Sequence, residues 1–137
     1  MLYDKILVPV DGSNYSILTL REAVRIVKNA GGEITVVYVC SESSEGSSFV
    51  MPKLSFGCDT ESILAEAERV AKSGGVAIQT LALKGDAVKQ IVKAAAEGSF
   101  DLIVIGARGL SNLSGLVLGS VSQGVVKKAA CPVLVVH

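Results

Sequence analysis

Tryptophan is absent and aromatic residues make up 4% of this 137-residue chain, which leaves few rings on which exposed bases could stack. Neither sign of charge is in excess. Thirteen Lys and Arg balance thirteen Asp and Glu, so the chain lacks the electrostatic footprint of a nucleic-acid or anionic-membrane binder. No apolar run reaches the ~18 residues of a membrane span, and the opening MLYDKILVPV has no apolar core followed by a cleavage site. Cys40, Cys58 and Cys131 show neither CxxC nor metal-ligand spacing. An odd count without a leader predicts reduced thiols in the cytoplasm, with Cys40 and Cys131 buried as structural thiols in apolar strands. The one histidine is His137, the last residue, a poor candidate for a general base. Asp4, Asp11, Asp86 and Asp101 are scattered, and no nucleophile–base pair is visible. Catalysis therefore lacks support.

What is present is a core. Half the residues are hydrophobic and 19% are charged, as in a compact globular chain, and the length predicts a single domain over 1–137. Five apolar runs read as strands: Lys5–Val10, Glu33–Val39, Ala77–Leu83, Leu102–Ile105 and Val133–Val136. Most are near-continuous and β-branched, the pattern of strands buried on both faces of a parallel sheet. Helical spacing lies between them, in Ile17, Leu20, Val24 and Val27, in Ile63, Ala67 and Val70, in Val88, Ile91, Val92 and Ala95, and in Val121, Val125 and Ala129. Gly31-Gly32 and Gly74-Gly75 close helices before strands. Asp86 can cap the third helix, Ser120 with Gln123 spells an S-x-x-Q capping box for the fourth, and Pro132 stops that helix. Alternating strands and helices predict an α/β three-layer doubly wound domain with a five-stranded parallel sheet. One segment breaks the pattern: residues 41–57, Ser-rich yet carrying Phe49, Val50, Met51, Leu54 and Phe56, read as either a lid or a plain solvated loop.

Chemistry is concentrated in GARGLSNLSGLVLGS, from Gly106 to Ser120. It follows the fourth strand, is far longer than a usual βα turn, and its Leu110, Leu113, Leu116, Val117 and Leu118 need cover. Gly119-Ser120 opens a helix whose unpaired N–H groups and dipole favour an anion. Two readings stand: the glycines admit a phosphate chain, or they merely let a long loop pack. There is no GxxxxGK[ST], and no G-x-G-x-x-G after the first strand, which argues against a P-loop ATPase and a nicotinamide-binding domain. Arg108 is the only cation within the loop, so a triphosphate would bring its own divalent metal. Asp11 ends the first strand on the rim where such sheets bind ligands. It could accept hydrogen bonds from a ribose or adenine edge, or cap the first helix, a task that Ser13 fits better.

VPVDGS in the first strand, G-x-x-G-nine residues-G-S from Gly106 to Ser120, and the terminal CPVLVV together resemble the universal stress protein family, from Lys5 to Val136. The resemblance implies a Rossmann-like sheet in the order 3-2-1-4-5 and, with the glycine motif complete, membership of the ATP-binding subgroup. It implies Asp11 against ribose or adenine, and Val39 meeting adenine through its backbone. Gly106 and Gly109 would line phosphates and ribose, Gly119 and Ser120 would grip the β- and γ-phosphates, and Val121 would continue the helix whose amides face them. It further implies ATP, with Mg²⁺ or Mn²⁺, as the ligand of a stress-response regulatory module, slow hydrolysis being permitted. A homodimer through the last strand is implied too, and the exposed apolar edge independently favours pairing. The alternative is a dimeric interaction scaffold that leaves the loop empty.

Overall fold

Successive residues of the first strand go to opposite cores, and this alternation builds the molecule. The computed structural model describes residues 3–41, 59–109 and 118–137. Its elements are β1 (Lys5–Val10), α1 (Asn14–Ala30), β2 (Glu33–Cys40), α2 (Thr60–Ser73), β3 (Ile78–Lys84), α3 (Ala87–Glu97), β4 (Leu102–Gly106), α4 (Ser120–Lys128) and β5 (Val133–Val136). Ile6, Val8 and Val10 point to one side, where Leu20, Ala23 and Val24 of α1 and Ala67 and Ala71 of α2 cover them. Leu7 joins Val37, Ile103 and Ile105 on the other side, beneath Ile91 and Ala95 of α3 and Val125 of α4. Strands buried on both faces cannot show a polar alternation, so β1 and β4 read as continuous apolar runs.

All strand pairs are parallel and the sheet order is β3-β2-β1-β4-β5. Ile6 lies between Ile34 and Leu102, and Ile103 stands opposite Val133. This is the order that the family resemblance implies. The reversal in strand order falls between β1 and β4, which opens a crevice at their carboxyl ends. The outer strands depart from the all-buried expectation: β3 and β5 keep several exposed residues, with Leu134 40% exposed. An edge strand has a neighbour on one side only, and the helices cover it incompletely.

Local chemistry sets the helix ends. Ser13 caps α1 by accepting the Ser16 N–H at 3.2 Å, and Gly31 at φ 83° turns the chain out while its N–H bonds Val27 O. Asp86 caps α3 through the Lys89 N–H at 2.9 Å. The expected Ser120–Gln123 box does not form. Gly119 is the N-cap of α4, no side chain caps it, and Gln123 instead donates to Leu118 O. Ser120 already lies inside the helix, one residue too late to cap it. Asp101 accepts the N–H groups of Asp4 and Lys5 at 3.0 and 3.1 Å, tying β4 to β1 at the end opposite the crevice.

The cysteine expectation is corrected. Cys40, at the end of β2, is disulfide-bonded, its other half lying outside the described residues, whereas Cys131 carries a free thiol and is half-buried. A bond that depends on spatial approach leaves no mark in cysteine count or spacing. The expectations for the Ser-rich segment beyond Ser41, and for Leu110, Leu113, Gly115, Leu116 and Val117, also fall outside the described residues.

Candidate functional site

The crevice at the carboxyl ends of β1, β2 and β4 is a cavity of about 330 Å³. That is within the range of small-molecule sites. Pro9, Val10 and Asp11 bring β1 to it, and Val37 and Val39 bring β2. Gly106, Arg108 and Gly109 follow β4, Gly119 to Ser122 form the far wall, and Ala87, Ile91 and Ile105 close the apolar side. Asp11, Val39, Gly106, Gly109, Gly119, Ser120 and Val121, singled out from sequence, thus line one and the same space. A second hollow of about 390 Å³ lies against β3 and α3, lined by Leu81, Leu83 and Phe100 with Gln90, Lys93 and Glu97. It holds none of the motif residues and no helix N-terminus.

Asp11 does not itself cap α1; it supports the residue that does. Its Oδ1 accepts the Ser13 N–H and the Ser16 hydroxyl, each at 2.9 Å, while Ser13 is the cap itself. The carboxylate therefore organises the α1 N-terminus and lines the cavity at once. Asp11 also reaches Tyr38 electrostatically. Burial pushes the Tyr38 phenol up, and the charges of Asp11 and Asp59 push it further.

The glycine loop is stitched at its base. Ala107 O accepts the Gly119 N–H at 2.8 Å, and the Ala107 N–H donates to Val136 O of β5 at 2.8 Å. Ser122, buried, lies within 3.1 Å of both Ala107 O and Gly119 O and can donate to either. This hydroxyl fixes the α4 N-terminus to the end of β4. Sequence reasoning passed over Ser122, because a small polar residue one turn into a helix gives no periodic or motif signal. Since no side chain caps α4, its first-turn N–H groups suit an anion.

Two of the glycines have identifiable reasons. A Cβ at Gly106 would come 2.8 Å from Thr19 Oγ1 and 3.1 Å from Arg108 O, so β4 passes too close to α1 for a side chain. A Cβ at Gly109 would collide with Asp11 Oδ2. Arg108, between them, places its guanidinium 5.8 Å from the Tyr15 ring centroid, a stacking distance. Asp11 and Arg108 are the charged residues among the described lining of the cavity. Among the described residues no three His, Cys, Asp or Glu gather as a metal site, and no helix is long and apolar enough to cross a membrane.

A parallel sheet wound in this order, with a glycine loop and an uncapped helix at its switch point, defines the class of doubly wound α/β proteins that bind ligands at that crevice. The family model of the universal stress proteins matches residues 2–137, and the chain belongs to that family. A universal stress protein of Methanocaldococcus jannaschii is 36% identical over 141 residues, covering 98% of this chain and 82% of the relative. A universal stress protein solved in complex with cAMP superposes with a TM-score of 0.79 at 28% identity, covering 100% of this chain and 99% of the other. One from Archaeoglobus fulgidus solved with dAMP gives 0.74 at 25% identity, covering both chains fully (100% and 100%).

Proposed function

We propose that the chain, as one nucleotide-binding domain over 1–137, binds ATP in the crevice and acts as a stress-response regulatory module rather than as an enzyme. The observation that carries this reading is convergence. Seven residues from three distant stretches of sequence line one cavity that ends on the N-terminus of α4. Solved relatives hold cAMP and dAMP, ligands that share an adenine and a phosphate with ATP. In this reading the base lies by Val39 and the apolar side, the ribose by Asp11, and the phosphates run past Gly106 and Gly109 to Gly119, Ser120 and Val121. The residues present fit a phosphate tail through backbone amides, with Arg108 as a nearby cation. Bound ATP would bring Mg²⁺ or Mn²⁺ as counter-charge. In the described lining the Ser16 hydroxyl pairs with the Asp11 carboxylate, but Ser16 is buried and bound into the α1 N-terminus, which favours holding a state over driving a reaction.

Calorimetric titration of the whole chain with ATP, with and without Mg²⁺, tests this, with Gly119→Val as control. Saturable binding that the substitution abolishes is expected. Absence of heat, together with an unchanged melting temperature in excess ATP, would reject the reading and favour the dimeric scaffold. The homodimer belongs to the same proposal and is supported by the exposed edge at β5. Cytoplasmic residence belongs to it as well. A reducing cytosol would open the Cys40 disulfide, so the thiol state of protein taken directly from cells checks that part.

A further inference from the structure

Gly109 is not a glycine for conformational reasons. The positive-φ glycines among the described residues are Gly12, Gly31, Gly32, Gly75 and Gly85, and Gly109 is outside that set. Its φ lies outside the left-handed region that favours glycine. What excludes a side chain is occupied space, and the occupant is the Asp11 carboxylate, with Oδ2 inside the volume of a Cβ and Cγ 3.4 Å from it. A carboxylate on a loose tether could swing aside at little cost. This one is held from the opposite side, where Oδ1 takes both the Ser13 N–H and the Ser16 hydroxyl, and Ser13 and Ser16 are themselves buried. The Ser16 hydroxyl could turn fully to Ser13 O, also 2.9 Å away, but displacing Asp11 would take from the Ser13 N–H a charged acceptor, which costs more than a rotamer change.

We infer that Gly109 is a positioning residue for Asp11: it leaves the carboxylate room to stand between the α1 N-terminus and the cavity, aimed at the nucleoside end of the ligand. The second glycine of the motif then acts on ribose or base through Asp11, and not chiefly by admitting phosphate. The inference rests on the nucleotide-binding reading and refines it. It makes nucleoside recognition depend on a contact between the end of β1 and the loop that follows β4.

A double-mutant cycle of Gly109→Ala and Asp11→Ala on the full chain tests this, with Mg·ATP and adenosine as probes. Gly109→Ala should weaken both probes by the same factor, about ten-fold for loss of one charge-assisted hydrogen bond. Added to Asp11→Ala, it should change either by less than about two-fold. Weaker ATP binding with adenosine untouched, or factors that multiply in the double variant, would overturn the inference. A ligand-free measurement keeps it separate from the binding reading. The Ser13 amide proton, which reports the bond to Asp11, should shift in Gly109→Ala as it does in Asp11→Ala, and an unmoved resonance overturns the inference even if ATP binds. Should the wild type bind neither probe, the nucleotide reading falls, and the Ser13 resonance still decides whether Gly109 holds Asp11. Should Gly109→Ala fail to fold, adding Asp11→Ala should restore folding, and failure to restore it counts against the inference.

Discussion

At the scale of single residues, the same letter serves different neighbours. Gly106 abuts Thr19, which is fully buried and whose hydroxyl is engaged with Tyr15 O at 2.8 Å. Gly106→Ala therefore overpacks the seam between β4 and α1. It should lower unfolding free energy by about 1–3 kcal/mol, read from urea denaturation, and a neutral result would mean that α1 shifts freely. Two acids give a pH signature. Burial first, then the charges of Asp11 and Asp59, raises the Tyr38 phenol. Burial first, with a smaller push from Asp101, raises the Cys131 thiol against the lowering effect of a backbone hydrogen bond. Both hold protons more tightly folded than unfolded, so the folded state carries more protons at alkaline pH and stability falls as pH rises. The contribution is complete below the ordinary thiol value, about pH 8.5, and is lost above it and above the phenol's own range. Melting temperatures between pH 7 and 11 should decline at the alkaline end and decline less in Tyr38→Phe. A flat profile would contradict the assignment.

At the scale of elements, caps and edges decide what each segment becomes. Asp86→Ala removes the one side-chain cap of α3 and should cost about 1 kcal/mol, measurable by chemical denaturation. The strands were legible where burial is two-sided: Leu7 and Ile103 belong to a continuous apolar run because both faces of β1 and β4 are covered. The same kind of run in Val133–Val136 is an edge strand, a difference that depends on position in the sheet and leaves no trace in the residues. The strand order itself came from resemblance to a family, since alternation of β and α is compatible with several orders. In the site, glycine spacing could be read but its causes could not. Thr19 beneath Gly106 and Asp11 beneath Gly109 are contacts between remote parts of the chain. The Ser120–Gln123 box shows the opposite failure, a correct local signal displaced by the backbone bond of Gly119 to Ala107, which starts the helix one residue earlier than that box requires.

For the whole molecule the open question is what meets β5. The strand pairs with β4 on one side, ends the sheet, and holds Leu134 40% exposed while its neighbours Val133 and Val135 pack on the α3–α4 core. An apolar edge with unpaired backbone groups is a template for a second copy, and a formal net charge of zero puts no long-range repulsion between copies. Leu134→Lys places a charge where the partner strand would lie, a device by which natural sheets keep their edges apart. Sedimentation at micromolar concentration should give a dimer for the wild type and a monomer for the variant. The melting temperature should fall by no more than loss of the dimer accounts for, because Leu134 contributes little to either core. A wild-type monomer would remove the dimer from the proposal outright. ATP affinity separates two versions of what remains. Leu134 is outside the described lining of the crevice, so a monomeric variant should bind ATP as tightly as the dimer if each copy carries a whole site. Yet Val136 O holds the Ala107 N–H at the base of the glycine loop, so β5 is one hydrogen bond from the motif. Affinity that drops with dissociation would mean that pairing at β5 tightens that bond and that the assembled dimer is the form that holds the nucleotide.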